Sequence, residues 1–255
     1  MSREYDDPRR RCGIRDVVLL HGWGFTARVW DEIAGRLAPR FRAHVPDLPG
    51  YGAAPACEPY TLETMAAAVA RAAPRRCHVV GWSLGAAVAL EWARRAPRQV
   101  RRLALIAATP CFTRRSGWPC ATAPAVLREF AQALEQDRSG QFARFLAAQA
   151  KGDSRVKRVA RLAQGAAAAA APDAVLQAGL ELLARADMRP MLREIRQPAL
   201  VLSGARDRVV PPGAGRRLAA ALPGARFRLL RACSHAPFLS QPGEVTAALR
   251  EFLHG

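Results

Sequence analysis

The stretch Cys77-His78-Val79-Val80-Gly81-Trp82-Ser83-Leu84-Gly85-Ala86 decides the fold. A short β-branched run meets Gly-x-Ser-x-Gly, and an alanine-rich helical segment, Ala86 to Ala96, follows at once. Strand, tight turn and helix in that order form the setting in which this pattern presents a serine as a nucleophile. The two glycines carry the physical reason. A sharp turn puts Ser83 in a strained backbone conformation, and residues without Cβ let strand and helix close around it. The hydroxyl then projects above the sheet, at the positive end of the helix that it begins. The pattern is short enough to arise by chance, so its meaning depends on a base and an acid following at sensible places.

Outward from the elbow, strands and helices alternate. The apolar run ending Val17-Val18-Leu19-Leu20 leads into His21-Gly22-Trp23-Gly24-Phe25. Residues 27–39 carry Val29, Ile33 and Leu37 at i, i+4 and i+8, an amphipathic helix with Trp30 beside that face. A strand over 41–45 gives way to the turn-rich Pro46-Asp47-Leu48-Pro49-Gly50-Tyr51-Gly52. Thr61 is placed to cap a helix over 61–73, with Glu63 or Thr64 in its first turn. After the elbow come a helix over 84–96 and a strand over 103–107. This alternation predicts an α/β protein whose central sheet is mostly parallel and covered by helices on both faces.

Beyond Thr109-Pro110 the alternation stops, and only helical patterns remain, over 126–134, 141–149, 154–171 and 173–186. A strand returns at 198–203, then a helix near 213–221, a strand at 226–230 and a last helix at 242–252. The chain therefore reads as a core (1–111) interrupted by a helical insertion (112–189) and completed by 190–255. The insertion is far longer than an ordinary connection. It lies where it would cover the C-terminal edge of the sheet, where ligands bind in open α/β folds. It is a candidate lid.

The acid candidate is Asp207, in the loop leaving the strand at 198–203, and the base candidate is His235, in Cys233-Ser234-His235-Ala236-Pro237-Phe238. All three functional groups fall at C-terminal ends of predicted strands, in the chain order Ser, Asp, His. In that arrangement His235 takes the Ser83 proton while Asp207 fixes its tautomer. Asp47 competes for the acid role, but its setting marks a turn-former, and Asp187 reads as orienting the return to the core. His44, His78 and His254 read as solvated. Two N–H donors are needed for the oxyanion, one after the nucleophile and one from the loop after an early strand. Leu84 and Trp23 occupy those places.

Composition narrows the class further. Half of the 255 residues are apolar, enough for a substantial core. Residues 1–13 are polar and lack the apolar stretch of a secretory signal, and no run is long enough to span a bilayer. A cytoplasmic monomer is the default expectation. Cys12, Cys57, Cys77, Cys111, Cys120 and Cys233 are scattered, which favours buried free thiols over a disulfide framework. The net charge is +18, yet only Lys151 and Lys157 of the 39 basic residues are lysine. Such arginine richness follows base composition as readily as function. A basic surface still favours acidic partners, and no zinc spacing or RNA-binding aromatic pattern points to nucleic acid.

With these residues in place the chain resembles an α/β-hydrolase, and more narrowly the pimeloyl-acyl carrier protein methyl ester esterases of biotin synthesis. The resemblance runs from Val17 onward and rests on Leu20-His-Gly-Trp-Gly, Asp47-Leu-Pro-Gly-Tyr-Gly, Gly81-Trp-Ser-Leu-Gly, Pro110-Cys-Phe, Trp118-Pro, Arg144-Phe-Leu-Ala-Ala-Gln149, Gly179-Leu-Glu-Leu-Leu, Ala186-Asp-Met-Arg and His235-Ala-Pro-Phe. It implies a triad of Ser83, Asp207 and His235, with Trp23 and Leu84 at the substrate ester and Phe145 to Gln149 lining an acyl channel. It also implies that basic lid residues, Arg144, Lys157 and Arg161 among them, dock the acidic acyl carrier protein. Lys151, Arg155 and Arg158 fall at i, i+4 and i+7, one helix face, with Val156, Val159 and Leu162 on another. A merely solvated charged face is the plain alternative to docking. The implied chemistry needs no metal or organic cofactor and involves neither nucleic acid nor membrane. Rival readings are a general short-chain carboxylesterase, a carbon–carbon bond hydrolase, and more remotely a non-catalytic binding protein on the same scaffold. Two departures stand out: Ala86 replaces a common second glycine, and residues 1–13 show no strand before the first His-Gly strand, which predicts a shortened sheet edge.

Overall fold

The computed structural model describes residues 15–167 and 171–254. Six strands form one sheet in the order β2-β1-β3-β4-β5-β6: β1 Arg15–Leu20, β2 Phe41–His44, β3 Cys77–Trp82, β4 Val100–Ile106, β5 Ala199–Gly204 and β6 Arg226–Leu230. Every pairing is parallel. The expectations placed on residues 1–13, including the shortened sheet edge, lie outside the described residues.

The central strands read as unbroken apolar runs because both of their faces are buried. Successive side chains still point to opposite sides. Val18, Leu20, Val79, Leu103, Leu105 and Val201 enter one core with α2 (Leu62–Ala72), α3 (Leu84–Arg95) and α8 (Pro212–Ala221). Val17, Leu19, Val80, Trp82, Ala104, Ile106 and Leu202 enter the other, with α1 (Asp31–Leu37) and α10 (Pro242–His254). Thr61 caps α2 in a reciprocal capping box with Thr64.

Among the described residues, four α-helices lie between β4 and β5, α4 (Pro124–Gln136), α5 (Arg138–Ala150), α6 (Val156–Gly165) and α7 (Asp173–Arg185), before a 3-10 turn, Arg189–Glu194. They join the core at the loop after β1: Phe25 and Ala167 form an antiparallel bridge, and Thr26 N–H donates to Ala166 O at 3.0 Å. Among the described residues no helix is long and apolar enough to cross a membrane. Cys77, Cys111 and Cys233 are buried thiols, Cys57 and Cys120 half-buried ones, and Cys12 lies outside the described residues.

Three expectations need correction. The helix over 27–39 opens as a 3-10 turn, Ala27–Trp30, before α1, and Trp30 stacks on Phe238 at 4.3 Å. His78 is not solvated: β3 is buried along its whole length, so the polar residue in it is buried too, at 1% exposure. Neither of its ring nitrogens has a hydrogen-bond partner among the described residues. His44, half-buried, hydrogen-bonds Asp16 at 2.8 Å.

Candidate active site

Ser83 sits between the end of β3 and the first turn of α3 with φ 54° and ψ −115°, a conformation that costs about 1–3 kcal/mol for a residue other than glycine. The neighbouring glycines make the turn possible. A Cβ on Gly81 would lie 2.4 Å from Gly85 O, and one on Gly85 would lie 2.4 Å from Leu20 O and 2.5 Å from His21 O. The elbow is thus wedged against the end of β1 with no room for a methyl group. Ser83 N–H donates to Ile106 O at 3.0 Å, which ties the turn to β4.

Asp207 and His235 come from the loops after β5 and β6, and the parallel sheet brings both to the Ser83 edge. His235 Nδ1 lies 2.8 Å from Asp207 Oδ2. The other carboxylate oxygen accepts the N–H groups of Val209 and Val210 at 2.8 and 2.9 Å, so the Asp207 carboxylate cannot rotate freely. A carboxylate only accepts, which assigns the proton to Nδ1 and leaves the Nε2 lone pair for the cavity. Both side chains are almost fully buried. Ser83 and His235 line one cavity, although among the described residues no hydrogen bond joins Ser83 Oγ to the ring. Such contacts are often loose before substrate arrives.

That cavity, of about 270 Å³, is walled by Trp23, Phe112, Val126, Leu127, Phe130, Phe145, Gln149, Leu180 and Leu183 and reaches Arg144 and Arg208. Phe145 and Gln149 therefore stand on the wall that holds Ser83. Gln149 donates to Phe145 O at 3.1 Å, and its amide oxygen is buried without a partner among the described residues. Trp23 is fixed from the helical side: its indole N–H donates to Leu176 O at 2.9 Å and its ring meets Phe145 edge-on at 4.8 Å. Leu84 is the first residue of α3, where backbone N–H groups have no partner within the helix.

Some contributors were not legible in the sequence. Trp82, the residue before Ser83, donates its indole N–H to His235 O at 2.9 Å, so the elbow itself holds His235 in place. His21 organises the loop that carries Trp23. Its Nε2 accepts from Leu48 N–H at 2.8 Å, so Nδ1 bears the proton and donates to Gly22 O at 2.9 Å. Full burial lowers its pKa to about 4. Asp47 accepts from Ala27 N–H at 2.7 Å and Ala53 N–H at 3.4 Å, the work of a turn-former. Asp187 pairs with Arg189 at 2.7 Å in the return to β5.

The basic face expected from Lys151, Arg155 and Arg158 does not exist as one helix face. Lys151 lies in the turn after α5, Arg155 precedes α6, and Arg158 is drawn into an ion pair with Glu32. Gly152, at φ +85°, breaks the helix between them. Arg144, Lys157 and Arg161 are exposed and have no ion-pair or hydrogen-bond partner among the described residues.

The sequence pattern of the alpha/beta hydrolase family matches residues 17–249. A protein of Nitrosomonas europaea named pimeloyl-[acyl-carrier protein] methyl ester esterase is 40% identical over 229 residues, 89% of this chain and 91% of that one. One of Methylococcus capsulatus with the same name is 42% identical over 241 residues, 93% of this chain and 94% of that one. Among solved structures, an esterase from Exiguobacterium antarcticum superposes with a TM-score of 0.84 at 23% identity, covering 94% of this chain and 92% of its own, a likeness of fold.

Proposed function

Because the chain belongs to the alpha/beta hydrolase family, we propose that it is a serine esterase that releases methanol from the methyl ester of pimeloyl-acyl carrier protein, in biotin synthesis. Ser83 Oγ attacks the ester carbonyl while His235 Nε2 accepts its proton and Asp207 stabilises the imidazolium. The backbone N–H groups of Leu84 and Trp23 stabilise the oxyanion. Collapse of the intermediate expels methanol, which takes the proton from His235. Water then repeats the sequence on the acyl-enzyme and frees the pimeloyl-carrier.

The observation that carries this reading is the shared wall: Ser83 and His235 open onto an apolar cavity closed by α4, α5 and α7. Burial is worth about 0.8 kcal/mol per methylene, so the five of a pimeloyl chain contribute about 4 kcal/mol of binding. The substrate assignment is supported by relatives near 40% identity that bear the esterase name over nearly their full length. The four helices between β4 and β5 serve as the lid in this reading. Arg144 at the cavity, with Lys157 and Arg161, unpaired among the described residues, offers the acidic carrier a docking surface by charge complementarity. The test is growth without biotin of a bacterial strain lacking this esterase. The wild-type gene restores growth and the Ser83→Ala gene does not; growth with the Ser83→Ala gene would refute the assignment.

A further inference from the structure

The connection between α5 and α6 holds a buried carboxylate for which the reaction above has no use. Asp153 is 8% exposed, and no ion pair includes it among the described residues. Its stability therefore depends on hydrogen-bond donors, since a buried charge without partners is costly. Three are in place. Oδ2 accepts the N–H of Ser234 at 2.9 Å. Oδ1 accepts the hydroxyl of Ser240 at 2.6 Å and the N–H of Arg155 at 2.8 Å.

The Arg155 contact alone would make Asp153 an ordinary turn residue. The other two reach across the fold to both flanks of His235. Ser234 immediately precedes the histidine, and Ser240 ends the short helix α9 (Pro237–Ser240) that follows it. The same seam is reinforced by Ser234 Oγ donating to Lys151 O at 3.0 Å and Ser154 N–H donating to Ala232 O at 3.0 Å. Arg206, beside Asp207, donates to Gly152 O at 2.9 Å. Trp82 holds the histidine's carbonyl from the opposite side. His235 is thus held on both flanks by the helical segment and at its carbonyl by the elbow.

We infer that Asp153 is a positioning residue that sets His235 within reach of Ser83, so that the base is competent only while the α5–α6 connection is seated on the core. The inference rests on the triad reading above. A misplacement of about 1 Å costs about 100-fold in rate. The seat therefore couples the helical segment to the chemistry without touching substrate.

The experiment measures phosphonylation of Ser83 by a small fluorophosphonate and turnover of p-nitrophenyl butyrate, below the melting transition of each variant. Asp153→Ala is expected to slow Ser83 labelling and kcat together by about 10- to 100-fold with KM nearly unchanged. Asp153→Asn places an NH₂ against at least one of the three donors and is expected to fall between Asp153→Ala and wild type. Should Asp153→Ala fail to fold, Asp153→Asn decides, and Ser240→Ala, which removes a single donor, must also slow labelling measurably. Wild-type labelling rates in the Asp153 variants, or a loss confined to KM, overturn the inference. A wild-type protein that is never labelled at Ser83 overturns the triad reading and the inference with it.

Discussion

Replacing Gly85 by alanine adds one methyl group where strand β1 and helix α3 touch. The new Cβ would stand 2.4 Å from Leu20 O and 2.5 Å from His21 O, both backbone atoms that cannot rotate away. Either α3 moves off the sheet or the end of β1 moves with the His21-Gly22-Trp23 loop. Overpacking costs about 1–3 kcal/mol, and a backbone clash belongs at the top of that range. At about 2–4 °C per kcal/mol for a chain of this size, the melting temperature falls by about 6–12 °C. Displacing the loop also shifts Trp23 N–H relative to Leu84 N–H, so kcat on an aryl ester falls by about 100-fold for a 1 Å shift. Gly35→Ala is the matched control: Gly35 is exposed in α1 and its Cβ meets nothing within 4 Å. It is expected to gain up to about 1 kcal/mol in helix propensity. Thermal melts and steady-state kinetics on both variants decide the matter. A Gly85→Ala protein that melts within about 2 °C of wild type, with kcat within twofold, refutes the wedged-elbow account.

Other outcomes follow from the same geometry. Asp207→Asn removes the acceptor that fixes the His235 tautomer, and kcat should drop by about 10⁴, as steady-state assays will show. Trp82→Phe leaves His235 O buried without its donor, costing about 1–3 kcal/mol in a denaturant melt and lowering kcat with it. His21 and His78 are both held down to about 4, from 6.5, chiefly by burial, with Arg101, Arg15 and Arg102 adding to the effect at His78. The unfolded chain takes up protons that the native state refuses. Stability is therefore full above about pH 6.5 and is lost as pH falls towards about 4, by about 3 kcal/mol for each histidine. His78→Leu should remove roughly half of that acid dependence in melts run from pH 7 to pH 4, with no penalty at pH 7, because neither ring nitrogen has a partner among the described residues. The pair Lys157→Glu and Arg161→Glu should lower kcat/KM for the carrier-bound ester by about tenfold at low salt and less at high salt, while aryl ester turnover stays unchanged.

The sheet was legible because its central strands are buried on both sides and so appear as Val-Val-Leu-Leu, Leu-Ala-Leu-Ile and Ala-Leu-Val-Leu runs. Ser83 and Asp207 were legible because each follows a buried strand, β3 or β5, whereas His235 follows the mostly exposed β6 and was legible by its place in the chain order; the parallel sheet delivers all three loops to one edge. The same burial hid His78, since a fully buried strand has no outer face on which to place a polar residue. Helix α9 spans four residues, too short for any period to register. The basic helix face does not form because Gly152-Asp153-Ser154 breaks the helix between Lys151 and Arg158, which charge spacing alone does not register. Long-range contacts such as Trp82 to His235 or Asp153 to Ser234 leave no mark on local sequence, and they tie down the segment around His235.

The most direct test of the central claim is methanol release from the purified methyl ester of pimeloyl-acyl carrier protein, followed for wild type and Ser83→Ala side by side. The wild-type protein is expected to release one methanol per carrier, and the variant to fall by about 10⁶ in kcat. Methanol release by Ser83→Ala at the wild-type rate, or none from the wild type on this substrate, would contradict the account.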